Sequence, residues 1–341
     1  MTATLTAPLR VTWDITTRCN LSCRHCYNSS NIKAQPLPPR TLHMLAGKLA
    51  GSGVFLVTLS GGEPLIEPEI WNITKILKEK KKNVSLVTNG TLVTERIARK
   101  IKNAHIDSVQ VSIDGLRETH DYLRGVKGCF DLSMRAVETL LKEDVSVMVS
   151  TTVSQKNVEE IPLLLEKVLD MGVQGFRAIR LIVMGRGTDL EPEALTREQA
   201  KTLTLYMLEK RKELKDRIQI LPDECMSFLG EKIHEYGLSW SGCPAGRTEC
   251  ALDSAGKVYP CIFLSYEQFV MGSLLNSEFD DIWHSQPFED FRKIERKCNC
   301  PIFDFCKGGC PAAAYGRYKD IKRKDPYCWR DEYEDLSIST Q

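Results

Sequence analysis

Arg18-Cys19-Asn20-Leu21-Ser22-Cys23-Arg24-His25-Cys26-Tyr27 places three cysteines within eight positions, spaced C-x3-C-x2-C, near the start of a 341-residue chain. Three thiolates on one short loop can converge on a single metal centre. Thiolates are soft ligands that select zinc, copper(I) or iron–sulfur clusters. Structural zinc sites close with four ligands, often as two C-x2-C pairs. Here the next cysteine is Cys129, more than a hundred residues on, so the loop supplies three ligands and leaves one position open. On a 4Fe–4S cluster that position is an iron free to bind a substrate. A zinc knuckle and buried structural thiols are the competing readings, and both leave the missing fourth ligand unexplained.

Composition bounds the partners. A net charge of +1 gives no bulk electrostatic case for nucleic acid or an anionic membrane. The basic runs Lys78-Glu79-Lys80-Lys81-Lys82 and Lys322-Arg323-Lys324 read as solvated helix ends or loops. Residues 1–10 lack a basic-then-apolar signal pattern, and no apolar run approaches the ~20 residues that cross a bilayer. The expected location is cytoplasmic, where thiols stay reduced, so thirteen cysteines point to metal rather than disulfides. They are unevenly placed: three at 19–26, Cys129 and Cys225 alone, and eight between 243 and 328. Two functional regions follow from that asymmetry, with Cys129 and Cys225 read as core thiols.

Strand-like and helix-like patterns alternate six times between residues 11 and 182. Strands are expected at 11–15, 54–59, 84–87, 108–112, 145–153 and 176–182. Helices are expected at 40–50, 69–80, 94–102, 132–142 and 158–171, with longer ones at 196–215 and 222–236. This order argues for an α/β fold with parallel strands and crossover helices. Polar and glycine residues follow the strands, at the edge where α/β barrels place their chemistry. Periodicity alone does not separate an open doubly wound sheet from a barrel. The domain reading is a core over 1–220, a bridging helix and linker over 221–240, a cysteine-rich domain over 241–335 and a fraying tail over 336–341.

The cysteine spacing, together with Ser60-Gly61-Gly62-Glu63-Pro64 after the second strand, resembles the radical S-adenosylmethionine (radical SAM) superfamily. The resemblance implies a partial (β/α)6 TIM-like barrel. It implies a cluster on Cys19, Cys23 and Cys26 whose open iron chelates SAM, and reductive cleavage of SAM to a 5′-deoxyadenosyl radical that abstracts hydrogen from substrate. Gly61, Gly62 and Glu63 take the place of the motif that binds the methionine amino group, as carbonyls and a carboxylate suit an ammonium. Asn89, Ser112 and Asp114 end the third and fourth strands, where the family meets ribose and carboxylate. Arg124 resembles an arginine that pairs with the SAM carboxylate. His25 stands where the family has an aromatic residue, its backbone approaching adenine.

The later cysteines form C-x12-G-x4-C (Cys243, Gly256, Cys261), then Cys298-x-Cys300-x5-Cys306-x3-Cys310, then Cys328. This resembles the SPASM extension, a small C-terminal cysteine-rich iron–sulfur domain. One departure is that a single residue separates Cys298 from Cys300, where the family has two. The resemblance implies two auxiliary 4Fe–4S clusters, one on Cys243, Cys250, Cys261 and Cys310, the other on Cys298, Cys300, Cys306 and Cys328. With the first cluster the expected total is three. Such enzymes act mostly on peptides and proteins. Ile262 stands where sulfatase maturases carry an aspartate base, which argues against that chemistry.

The leading expectation is a maturase of a ribosomally synthesised precursor peptide. About ten residues precede the first strand, so a separate leader-peptide recognition protein is expected, with flavodoxin or ferredoxin as electron donor. The alternatives are radical modification of a small molecule such as a tetrapyrrole side chain, favoured by a pocket ringed with arginines, and a non-enzymatic iron–sulfur carrier.

Overall fold

Along β1 (Arg10–Asp14), Val11 and Trp13 are fully buried while Arg10 and Thr12 are half-buried. The same period of two runs through β3 (Asn83–Thr88) and β4 (Ser108–Ser112), where Val84, Leu86, Val109 and Val111 are inaccessible and Ser85, Gln110 and Ser112 are not. Alternation puts successive side chains on opposite faces. One face of the sheet is therefore apolar and packs under helices, and the other is polar and lines a cavity. The remaining core strands are β2 (Leu56–Ser60), β5 (Val147–Val153), β6 (Gly175–Arg180) and β7 (Gln219–Leu221). The computed structural model describes residues 5–30, 36–240 and 242–330; the expected domain end at 335 and the tail at 336–341 lie outside the described residues.

Strands β1 to β7 pair in sequence order, every pair parallel. Parallel neighbours require crossovers. These are α1 (Pro39–Gly51), α2 (Ile70–Glu79), α3 (Glu95–Asn103), α4 (Arg117–Arg124) with α5 (Cys129–Lys142), α6 (Ile161–Asp170) and α7 (Arg197–Glu213). The result is the expected partial barrel. Its edge differs from expectation, because β8 (Glu249–Leu252) joins β1 in parallel and sets Cys250 opposite Val11. Strands β9 (Lys257–Tyr259) and β10 (Gly272–Ser273) then extend the sheet antiparallel to ten strands. The cysteine-rich region thus continues the barrel sheet. It ends in the short helices α8 (Phe279–Trp283), α9 (Gln286–Arg292), α10 (Phe303–Cys306) and α11 (Pro311–Tyr318).

Three local differences have physical causes. Helix α5 begins at Cys129 rather than 132, because Gly128 turns with φ +84° and the Asp121 carboxylate accepts the Phe130 amide at 2.9 Å. The segment expected as a helix over 222–236 is 3-10 from Glu224–Tyr236 and breaks at Gly230, whose φ of 64° and ψ of −144° are not helical. A Cβ at Gly230 would stand 3.1 Å from Ile302, so the break is where this segment meets the cysteine-rich region. Helix α4, which carries Arg124, is short and mostly polar, and periodicity did not reveal it.

The apolar face forms one continuous core through both regions, from Trp13 and Leu86 to Trp283 and Phe288. Leu86→Ala, on a fully buried β3 side chain, should lower unfolding free energy by about 2–5 kcal/mol in urea titrations.

Candidate active site

The loop that follows β1 is held by backbone contact with the turn after β2. The Gly62 amide donates to the Thr16 carbonyl at 2.7 Å and the Glu63 amide to Arg18 at 2.8 Å. A Cβ on Gly62 would lie 2.1 Å from the Arg18 oxygen, and one on Gly61 2.4 Å from the Thr16 oxygen. Gly61 also sits at φ +136°, a region that side chains disfavour. Both glycines are needed so that the cysteine loop can lie against the sheet.

Glu63 lies behind this contact, with none of its surface accessible. One carboxylate oxygen accepts from the Thr88 hydroxyl at 2.8 Å and the Leu65 amide at 3.2 Å; the other accepts from the Asn89 amide at 2.8 Å. It therefore ties the ends of β2 and β3 together and does not line the cavity, whereas Gly61, Gly62, Asn89, Ser112, Asp114, Arg124 and His25 do. Burial raises the Glu63 carboxyl to about 7.

Asp114 organises the opposite wall. Its Oδ2 lies 2.6 Å from Arg124 Nη2 and 3.2 Å from His25 Nε2, and its Oδ1 accepts the Thr152 amide at 2.8 Å. Burial alone would raise this carboxyl, but the Arg124 guanidinium and His25 outweigh it and hold it well below the usual carboxylate range. His120 accepts the Asp114 amide at Nδ1, 3.0 Å away, and burial with Arg124 lowers it to about 4, so it is neutral near pH 7. Arg124 Nη1 stands 3.8 Å from Cys23 Sγ. His25 Nδ1 and Arg124 Nε are buried without a hydrogen-bond partner and belong to residues of the cavity wall. Buried polar groups are normally paired, so these atoms are free for a ligand.

Arg186, which the sequence reading missed, clamps the loop from the far side. It donates to the Cys23 carbonyl at 2.8 Å and the Ser30 carbonyl at 2.7 Å. Gly185 before it passes so close that a Cβ would lie 2.3 Å from the Tyr27 oxygen. Gly185-Arg186-Gly187 was the signal that could have revealed this clamp.

Cys19, Cys23 and Cys26 share a single cavity of about 300 Å³ with Cys243, Cys250, Cys261 and Cys310. Cys298, Cys300, Cys306 and Cys328 are not among its lining residues. Among the described residues, no three His, Cys, Asp or Glu side chains close on one ion-sized point. Burial raises the Cys19 thiol to about 11 and pushes Cys243, Cys250, Cys261 and Cys310 well above the usual thiol range. Such groups become thiolates when a metal takes the proton's place. The soft, all-sulfur donor sets and the orphaned polar atoms beside Cys23 fit an iron–sulfur cluster with a polar ligand next to it. Arginines also reach the cavity, each with a carboxylate: Arg10 with Glu249 at 2.6 Å, Arg177 with Glu224 at 3.7 Å, Arg180 with Asp325 at 2.8 Å.

The chain matches the family model of the radical SAM superfamily over residues 13–192 and that of an iron–sulfur cluster-binding domain, SPASM, over residues 243–311. It is 32% identical to an AdoMet-dependent heme synthase of Methanosarcina barkeri, covering 96% of this chain and 98% of that one. It is also 32% identical to the mycofactocin maturase MftC of Mycolicibacterium smegmatis, over 95% of this chain and 83% of that one. Streptococcus suis SuiB, solved with bound S-adenosylmethionine, shares the fold with a TM-score of 0.76 at 19% identity, over 96% of this chain and 78% of that one. The chain belongs to the radical SAM superfamily. It is an enzyme of that class with a SPASM iron–sulfur domain, as the cysteine spacing led us to expect.

Two outcomes test this geometry. Gly62→Ala should displace the loop and cut iron bound through Cys19, Cys23 and Cys26, read as lost iron with the fold intact by circular dichroism. For Glu63, the folded value of about 7 exceeds the ordinary 4.5. Between those values the folded chain keeps a proton that the unfolded chain has released, so stability falls as pH rises through this window. Glu63→Gln should flatten that fall by about 3 kcal/mol at most, measured by urea titration at its two ends.

Proposed function

We propose that the chain modifies a ribosomally synthesised precursor peptide by hydrogen abstraction inside the shared cavity. The observation that carries this reading is that one cavity, with paired charges in its wall, joins the first cysteine loop to four cysteines of the SPASM region. Cys19, Cys23 and Cys26 would hold the SAM-binding cluster. Cys243, Cys250, Cys261 and Cys310 would hold one auxiliary 4Fe–4S cluster and Cys298, Cys300, Cys306 and Cys328 the other, three in all. The core to 220, the bridge over 221–240 and the SPASM domain beyond it follow the same division. When bound, the cluster and SAM supply the electron and the 5′-deoxyadenosyl radical for hydrogen abstraction.

The chain's own residues bind and orient. Gly61, Gly62, Asn89 and Ser112 present backbone and small polar groups at the sheet edge. Arg124, fixed by Asp114, offers Nε to the SAM carboxylate, and His25 offers Nδ1. Glu63 acts through Asn89, whose amide it holds. Carboxylates paired with Arg10 and Arg177 leave the wall near neutral, which suits a hydrogen-bonding peptide better than a polyanion. In support, SuiB has been crystallised with its precursor peptide SuiA, and MftC is named a maturase. A separate leader-recognition protein and a flavodoxin or ferredoxin donor complete the reading. A reducing compartment such as the cytoplasm suits the thiols, and no helix among the described residues is long and apolar enough to cross a membrane.

A second reading, radical modification of a tetrapyrrole side chain, is favoured by the arginines in the wall and by the heme synthase that matches over almost its whole length. Anaerobic incubation of the reconstituted enzyme with SAM, reductant and either a peptide encoded beside its gene or an iron porphyrin bearing propionates separates the two. We expect 5′-deoxyadenosine and a mass change in the peptide. A mass change only in the porphyrin would overturn the peptide reading. Arg124→Ala should strip Asp114 of its closest charge, weaken SAM binding at least tenfold by equilibrium dialysis and cost about 3–5 kcal/mol of stability.

A further inference from the structure

Arg180 ends β6 with its side chain 1% exposed, at the wall of the cavity. A guanidinium taken out of water is costly unless carboxylates and hydrogen bonds compensate it. Asp223 pairs with its Nη1, and Asp325 Oδ2 lies 2.8 Å from its Nη2. The Tyr327 ring lies 5.1 Å from the guanidinium carbon. Asp325 is itself fully buried, and the same Oδ2 accepts the Cys310 amide at 2.9 Å. Its carbonyl accepts the Cys328 amide at 3.1 Å. One residue thus joins a barrel strand and the Cys310 backbone through its carboxylate, and the turn that delivers Cys328 through its carbonyl. The preceding turn is shaped around it: Gly309 has φ +77°, and a Cβ there would stand 2.6 Å from Asp325 Cβ.

We propose that Arg180 and Asp325 are a positioning pair for Cys310 that sets, by opposed charges, the reduction potential of the auxiliary cluster held there. The proposal rests on Cys310 being a ligand of that cluster. A cluster gains negative charge on one-electron reduction, so a neighbouring cation favours the reduced form and a neighbouring anion the oxidised one. Asp325 Oδ2 lies 2.9 Å from the Cys310 amide nitrogen and 2.8 Å from Arg180 Nη2, so both charges stand beside this ligand. Neither residue is called for by cluster ligation or by SAM, yet both are buried at the boundary between the barrel and the cysteine-rich region.

The test is a dithionite redox titration followed by electron paramagnetic resonance, on the full reconstituted chain in a Cys19→Ala, Cys23→Ala, Cys26→Ala background. The auxiliary signal in question is the one that Cys310→Ala removes. Arg180→Gln should lower its midpoint and Asp325→Asn should raise it. Tyr327→Phe, which removes the 2.7 Å bond to the Leu181 carbonyl but no charge, should leave it in place. Midpoints that stay fixed in both charge variants, or that move in the same direction, overturn the proposal. If Arg180→Gln does not fold, the isosteric Asp325→Asn decides alone: an upward shift supports the pair and no shift overturns it. Full iron content in Cys310→Ala would instead refute the ligand assignment, whereas lost iron there with unmoved midpoints counts against the pair alone.

Discussion

The candidate site depends on the close approach of two backbones, Gly61-Gly62 and Thr16–Arg18. The cross-links at 2.7 and 2.8 Å make the cysteine loop continue the sheet edge as if it were part of it. No side chain fits between the two segments at Gly62, where a Cβ would meet the Arg18 oxygen at 2.1 Å. Arg186 holds the loop's other side, and Glu63 braces the strand ends beneath it. Three thiols on a loop would otherwise sample many arrangements. Here the backbone contacts on one side and Arg186 on the other restrict the loop, which lowers the ordering cost of binding a metal.

The second constraint is the two-faced sheet. A parallel sheet covered on both faces is apolar on both. This one keeps Thr12, Gln110, Ser112 and Thr152 on its concave side, which is affordable only because that side lines a cavity. The β8 strand brings Cys250 to the same wall by pairing with β1. The SPASM region is therefore built into the barrel wall, so Cys243, Cys250, Cys261 and Cys310 face the space that the first cysteine loop also faces. Arg180 and Asp325 fasten this junction from the other edge of the sheet.

Much of this was legible in the sequence, for reasons that differ by residue. The alternation of strands and helices up to α7 could be read because apolar periodicity reports burial directly. The two cysteine-rich regions could be read because their thiols cluster in the chain. Helix α4 and β7 escaped, the one polar and the other three residues long. Glu63 was expected to face the cofactor, and only the fold shows Thr88, Leu65 and Asn89 claiming its oxygens. The Arg180–Asp325 pair and the Arg186 clamp on Cys23 were invisible because each contact spans more than a hundred residues of chain. Pairing of that range is a property of topology rather than of local pattern.

The central claim is that Cys19, Cys23 and Cys26 hold a cluster with one iron open to SAM. Mössbauer spectroscopy of the reconstituted full chain, with and without SAM, tests it most directly. The account predicts that SAM perturbs a single iron site and that Cys23→Ala abolishes the response while the auxiliary signals persist. A spectrum indifferent to SAM, or a response that survives Cys23→Ala, would contradict it.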